Sequence, residues 1–505
     1  MSIKNLYEIA SLVTKKQGVN QLFLADNEDF ESGLKYKRLL EGIMQEQWKS
    51  DEEAKFDLYG NNSGAKTFEM LKSRAKDRLI SMIFQADSSK NIKSNFDRAF
   101  FSASRTYLIG LMLFNKTKFS SGQEQFKLAL KTAREFQFYD LEILILRQLR
   151  KYASFSGNDK NFSRYCEELR NAQKYLNAEL EAEELELELL AKIASAVSVS
   201  ESWMELLERN LARVQVLSKE FKSISIRVYN YKLSIRYYQA KENYEKAIDV
   251  ITEYQEFLMS NPKFDVWTRV ANAALNKLYC AVHMKDYHRG SIFASECEGL
   301  IKPGSVIWLI FKEYHFLLCM HASQFGKASS IFNQVLQHPT FAAYPAPNVE
   351  KWRIFEAYLE YAEPIASPAR RKFNVSKFLN EVPVFSKDKG GYNLSIIIAQ
   401  ILLEVKTNEL HRIVDREESL KIYLSRYINK EKQARSYYFI KMLLVMIRYE
   451  FDPIKTAQIA DKFLVKMKQS GNSYLESSEV IPYEWLWSDL MARLREIKSN
   501  IKAEV

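Results

Sequence analysis

Fifteen glycines and ten prolines among 505 residues are too few to punctuate the many tight connections of an all-β or doubly wound protein. Helices joined by short polar loops suit such a chain better. Cysteine is also scarce: Cys166, Cys280, Cys297 and Cys319 are widely spaced and form no CxxC pair. That spacing argues against a zinc ribbon or a disulfide framework and for buried thiols in a reducing compartment. Long apolar runs are absent, since Tyr107 to Phe114 and Met442 to Ile447 fall far short of the roughly twenty residues that span a bilayer. The opening Met1-Ser2-Ile3-Lys4-Asn5-Leu6-Tyr7-Glu8 reaches an acid by its eighth residue and has no apolar core, unlike a secretory signal. We expect a cytoplasmic protein with no membrane partner.

Catalytic signatures are missing as well. The chain contains no P-loop, GxGxxG, GxSxG or HExxH pattern. Its Ser, His and Asp residues lack the strained turn that would make a triad of them. Glutamate pairs such as Glu183 and Glu184 belong to a solvated acidic helix and not to a pocket. Five of six histidines (His283, His288, His315, His321, His338) and three cysteines gather between residues 280 and 338. On a helix Cys280 shares a face with His283, and His315 with Cys319, but apolar carriers such as Trp308 to Met320 favour packing over a metal site. The expectation is a non-enzyme without catalytic residues, cofactor or metal.

Hydrophobic residues make up 47% and charged residues 27%, the balance of an ordinary folded protein. A net charge of +10, from 73 basic and 63 acidic residues, is compatible with nucleic acid or an acidic partner and demonstrates neither. The informative signal is a mark that recurs about every forty residues: an aromatic followed three places later by a small residue, opening an amphipathic helix. It occurs at Phe119/Gly122, Tyr244/Ala247, Tyr287/Gly290 and Phe325/Ala328. Ala247, Gly290 and Ala328 lie 43 and 38 residues apart, and the 125 residues from Gly122 to Ala247 are close to three such steps. Filling that gap at the same pitch places second-helix starts near Tyr165 and Leu206, within the helices expected over Asn161 to Leu176 and Ser202 to Phe221. The small residue allows the two helices of a pair to cross closely, and the aromatic covers the crevice.

The clearest unit runs from Ser225 to Pro262. Val228, Tyr231, Ile235 and Tyr238 line a first helix, a break falls near Lys241, and Tyr244, Ala247, Ile248, Ile251, Tyr254 and Leu258 line a second. With Tyr238, Tyr244, Ala247 and a terminal Pro262 in comparable places, this segment resembles a tetratricopeptide repeat. It departs from that family in its late Pro262 and in Ile235, which stands where the first helix usually has a glycine. The period exceeds the roughly 34 residues of that family and approaches that of HEAT-like repeats. Further units are expected at Trp267 to Ile301 and Val306 to Gln337. Helices are then read over Val349 to Ala362, Pro368 to Leu379, Leu394 to Val405, Leu410 to Ile428, Ala434 to Arg448 and Pro453 to Lys468. About eight to nine pairs would result. Loops are expected at His338 to Asn348 and Pro383 to Gly391, and the glutamate-rich stretch Glu179 to Glu188 is read as helix because Glu, Leu and Ala all favour it.

The first ninety or so residues do not follow the array. Ser50-Asp51-Glu52-Glu53 forms a capping box, opening a short helix to about Tyr59. A turn at Gly60 to Gly64 leads to a long helix from Lys66 to about Gln85. Helix, turn, helix is also the outline of a DNA reader, and Lys66, Lys72, Arg74 and Arg78 would supply phosphate contacts.

These readings give an all-α fold, a tetratricopeptide-like array of helix pairs (an α-solenoid) with a small helical N-terminal region. The expected divisions are 1–95, 96–340 and 341–505. The leading function is a scaffold binding a protein or peptide segment, with Arg227, Asn230, Tyr231 and Asn276 as groove residues that the core does not require. The alternative is a nucleic-acid-binding regulator that uses the N-terminal helices, with the array as sensor or dimerisation arm.

Overall fold

The structure is a computed structural model that describes residues 2–11, 30–60, 65–85, 94–195, 201–264, 266–362, 373, 378, 392–428, 430, 433–470 and 479–504. Helices account for its regular structure, and no strand occurs among the described residues. The chain forms two compact units, residues 1–173 with 263–265, and residues 174–262 with 266–505.

In the first unit, α1 (Ile3–Ser11), α2 (Phe30–Met44), α3 (Asp51–Tyr59) and α4 (Ala65–Gln85) close around Leu6, Leu39, Leu40, Trp48, Phe68 and Leu79. The Ser50 hydroxyl accepts from the Glu53 N–H at 3.3 Å, as a cap should. The Glu53 carboxylate reaches one residue further back than expected and accepts from the Lys49 N–H at 2.7 Å. Of the expected turn at Gly60 to Gly64, all but Gly60 lies outside the described residues.

The same unit contains α5 (Asn95–Asn115), α6 (Phe119–Glu135), α7 (Tyr139–Phe155) and the beginning of α8 (Asp159–Ser195), packed on Phe126, Leu130, Ile145, Leu149, Tyr165 and Leu169. Every connection here is three residues long, and its middle residue is left-handed: Thr117 (φ 58°), Gln137 (φ 57°) and Gly157 (φ 64°). The third residue then donates its N–H to the carbonyl five places back, Lys118 to Leu113 at 2.9 Å, Phe138 to Ala133 at 2.8 Å and Asn158 to Ala153 at 2.9 Å. This is the Schellman ending of a helix, which satisfies carbonyls that the helix itself leaves open.

The second unit uses the same device within its helix pairs. α9 (Glu201–Glu220) precedes α10 (Ile224–Ala240) and α11 (Tyr244–Met259), followed by α12 (Val266–His283) and α13 (Tyr287–Leu300), then α14 (Val306–His321) and α15 (Phe325–Leu336). Glu242, Lys285 and Ser323 are left-handed, with φ between 54° and 55°. Behind them Asn243 donates to Tyr238, Asp286 to Ala281 and Gln324 to Cys319 at 2.8 to 3.0 Å. Asn243 and Asp286 also cap the helix that follows, accepting from the Lys246 and Arg289 N–H groups at 3.1 and 3.0 Å. One residue therefore closes one helix and opens the next. At each of the four marks the left-handed residue falls two places before the aromatic, and the same backbone state occurs without a mark at Gln137, Gly157 and Asn408 (φ 59°).

The marks themselves behave as close-packing points. A Cβ on Gly122 would fall 2.3 Å from the Phe114 ring, and Ala247 and Ala328 are fully buried. At Gly290 the expectation of a crossing inside one pair is corrected: the nearest atoms belong to Leu318 of α14, 2.6 Å from an added Cβ, so the tight approach is to the following pair. Tyr244 likewise reaches forward, stacking on His283 of α12 with ring centres 5.2 Å apart.

Tyr165 and Leu206 do lie early in helices, but α8 continues through the expected break at Leu176 to Ser195. Glu179 to Glu188 is helical throughout, and in the second unit Glu181, Glu186 and Glu188 meet Arg213, Lys232 and Arg209. The expected loop from His338 to Asn348 holds a single turn at Phe341–Ala343, and α16 (Ala346–Ala362) starts inside it, with Pro347 in the first turn where its missing N–H costs nothing. α17 (Tyr392–Lys406) follows. The stretch Leu410 to Ile428 is two helices, α18 (Leu410–Val414) and α19 (Glu417–Arg426), and Arg416 in the turn between them lies 2.6 Å from buried Glu404. α20 (Ala434–Arg448), α21 (Pro453–Gln469) and α22 (Tyr483–Glu504) complete the unit. The helix read over Pro368 to Leu379, except Phe373 and Phe378, and the loop Pro383 to Gly391 lie outside the described residues.

Candidate functional site

The four residues expected to line a groove lie on α10 and α12. Tyr231 is half-buried and packs its ring against Tyr254 and Phe257 at 5.2 and 5.6 Å, while exposed Arg227 places its guanidinium 4.4 Å above the same Phe257. These two side chains meet on one ring. Asn230 is half-buried, and its buried Oδ1 receives no hydrogen bond from a described residue. Asn276 accepts from Gln239 at 3.1 Å and donates to the Asn272 carbonyl at 2.8 Å, which ties it to the far end of α10.

The N-terminal cations are distributed unevenly. Lys66 and Arg74 are exposed on α4, with Arg74 lying 5.7 Å over the Tyr36 ring, and Arg78 is half-buried. Lys72 is buried, and its ammonium lies 2.6 Å from both Asp51 and Glu69. Burial pushes the Asp51 carboxyl up, but Lys72 and the Ile3 N–H outweigh it and hold it below the ordinary range. Lys72 thus joins α3 to α4 and presents no charge to solvent.

Within the histidine and cysteine cluster the thiols of Cys280, Cys297 and Cys319 are buried, His283, His315, His321 and His338 are half-buried, and His288 is exposed. Burial raises the thiols of Cys280 and Cys297 to about 12 and that of Cys319 to about 11, which makes them poor nucleophiles near neutral pH. Burial lowers His283 and His315 to about 4, with the charges of His321 and Lys312 adding respectively. Among the described residues no three His, Cys, Asp or Glu side chains converge as metal ligands.

The feature that sequence reading missed is a groove in the first unit between α7 and the beginning of α8. α7 presents Ile143, Arg147, Arg150 and Ser154, and α8 presents Phe162, Cys166, Leu169 and Gln173. Each set follows the i, i+4, i+7, i+11 spacing of one helix face. A hollow of about 410 Å³ is floored by Ile143, Cys166 and Leu169 and edged by Arg147, Arg150 and Arg170. A second, of about 490 Å³, shares Arg147 and Arg150 and adds Lys151 and Phe155. No acidic residue lines either hollow. Two of the acids close by in sequence, Glu142 and Glu168, both accept from Arg134, at 2.7 and 3.0 Å, and Glu167 is exposed beside Cys166. A signal existed in the sequence, since Arg147, Arg150 and Lys151 share one face of α7 without an acid among them, but its partner Arg170 lies on another helix.

The chain matches no protein family, and no curated protein or solved structure is similar to it. No described helix is long and apolar enough to cross a membrane.

Proposed function

We propose that the chain is a non-catalytic helical-repeat scaffold acting in the cytoplasm, a tetratricopeptide-like α-solenoid whose stacked helix pairs hold a segment of another protein. The observation that carries this reading is the open groove between α7 and α8, formed by successive helices of a repeated array and lined by cations that no neighbouring acid occupies. Repeated helix pairs stack into extended surfaces suited to binding, and a hollow of this size accepts a few side chains of a bound segment. The thiols of Cys280, Cys297 and Cys319 belong to the core of the second unit, where they support packing. Of the four N-terminal cations only Lys66 and Arg74 face solvent, so we rank a nucleic-acid role of α3 and α4 second.

Affinity capture of the full chain from cells that make it, followed by mass spectrometry and reconstitution with the purified partner, tests the reading. A protein that co-elutes in a defined ratio is the expected result. Failure of every captured protein to rebind the purified chain would remove the support for a scaffold.

A further inference from the structure

We propose that the α7–α8 groove receives an acidic segment of the partner protein, its carboxylates on Arg147, Arg150 and Arg170 and an apolar side chain against Phe162. This rests on the scaffold reading above and specifies the chemistry of the occupant.

The charge pattern comes first. Arg147 and Arg170 are exposed and Arg150 is half-buried, and none forms an ion pair with a described residue. Like charges facing one another across a hollow repel, and an anion placed between them relieves that repulsion. Guanidinium groups are planar forks that pair two N–H donors with both oxygens of a carboxylate, a geometry a lysine ammonium does not offer. The floor of Ile143, Cys166 and Leu169 is apolar, so a bound segment would have side chains of both kinds to satisfy.

Single-stranded nucleic acid meets a less suitable surface. It needs aromatic faces spaced along a track on which successive bases stack. Here Phe155 and Phe162 both lie at one end of the groove, around the second hollow, and Lys151 sits 5.8 Å over the Phe155 ring. The first hollow has arginines over a floor of Ile143, Cys166 and Leu169, and no aromatic lines it.

Fluorescence anisotropy with the full chain gives the test. The probe is a short fluorescein-labelled peptide of Glu, Asp and Leu, with three comparisons: the same peptide with Gln and Asn for its acids, a Lys-Leu peptide, and an oligothymidine of equal charge. The acidic peptide alone should bind, and Arg147→Gln and Arg150→Gln should each weaken it about tenfold, the loss of one charge-assisted hydrogen bond. Arg147 and Arg150 do not belong to the buried core, so circular dichroism should remain that of the parent chain. Should either variant, or the two combined, misfold, Arg170→Gln asks the same question from the opposite helix. Equal binding by parent and variants, or no binding of the acidic peptide, overturns the proposal. Binding of oligothymidine that depends on these arginines, with the peptide silent, overturns it in favour of nucleic acid. If Arg147→Gln/Arg150→Gln instead releases a captured partner that has no acidic segment, the scaffold reading survives and the acidic occupant does not.

Discussion

Arg435 and Glu479 form a two-pronged ion pair in the interior of the second unit, with Nε on Oε2 at 2.8 Å and Nη2 on Oε1 at 2.7 Å. Their side chains are 5% and 8% exposed, so the pair is shielded from water. The same carboxylate receives Lys285 at 3.0 Å and the Tyr483 N–H at 3.1 Å, and Arg435 also holds Glu484. The Glu479 carbonyl takes His321 Nε2 at 3.0 Å. One short segment thereby fastens the connection after α12 to α14, α20 and α22. Removing one partner leaves the other charge buried. Arg435→Met is expected to cost about 3–5 kcal/mol, read as a lower urea midpoint for the second unit, and an unchanged midpoint would refute this account.

Acid should release the same fastening. Burial pushes the Glu479 carboxyl up, and Arg435, Lys285 and His321 together overcome this and bring it down to about 2. A carboxyl depressed in the folded state stabilises fully above its unfolded value and loses that contribution as pH falls through the folded one. The window for Glu479 is therefore from about 4.5 down to about 2. Glu479→Gln should be less stable at neutral pH and show a flatter dependence across that window in thermal melts.

His283 and His315 extend the acid sensitivity upward. Both are held neutral to about 4, so between about 6.5 and about 4 the unfolded chain binds protons that the folded chain refuses. Stability is expected to fall as pH drops through that range. His315→Phe, which keeps a ring against Phe311, should reduce the slope of melting temperature against pH by the share of one titrating group.

Ala247 has no exposed surface and lies at the opening of α11. Ala247→Leu is expected to destabilise by about 1–3 kcal/mol through overpacking. Gly290→Leu should be at least as damaging, because even a Cβ would meet Leu318. Melting temperatures unchanged in both would show that the marks are not packing points.

The left-handed connections offer a gain. Glu242 carries a side chain at φ 55°, a conformation glycine adopts without penalty. Glu242→Gly should raise stability by up to about 1 kcal/mol, offset in part by the looser unfolded chain. Lys285 is an uninformative site for the same exchange, since its ammonium also holds Glu479.

Much of this architecture was legible because helical spacing and capping are local. The second helices of three pairs begin at Tyr244, Tyr287 and Phe325, where the aromatic-small marks place them, and the helix expected over Ala434 to Arg448 has those bounds. The left-handed turns were not legible, since Thr117, Gln137, Glu242, Lys285 and Ser323 share no side-chain chemistry that marks a turn. Gly157 and Asn408 carry the usual signals. The groove was hidden for another reason: its arginines come from two helices, and only packing sets Arg170 beside the α7 stripe. The interior pair of Arg435 and Glu479 depends on a contact between residues 44 apart, which no local pattern announces.

The shared backbone state of the connections gives successive helix pairs the same joint, although the side chains packed around each joint differ. A stretch cut at Glu242 and at Lys285 begins and ends in one conformation, so deleting it rejoins two ends of the same geometry, and duplicating it inserts a pair without a new linker. By that geometry, copying a whole pair in tandem would meet a backbone joint already in use, with only the side-chain contacts to be re-formed. Growth by that route needs no glycine at the seams, which is how a protein of many helices can remain so poor in it.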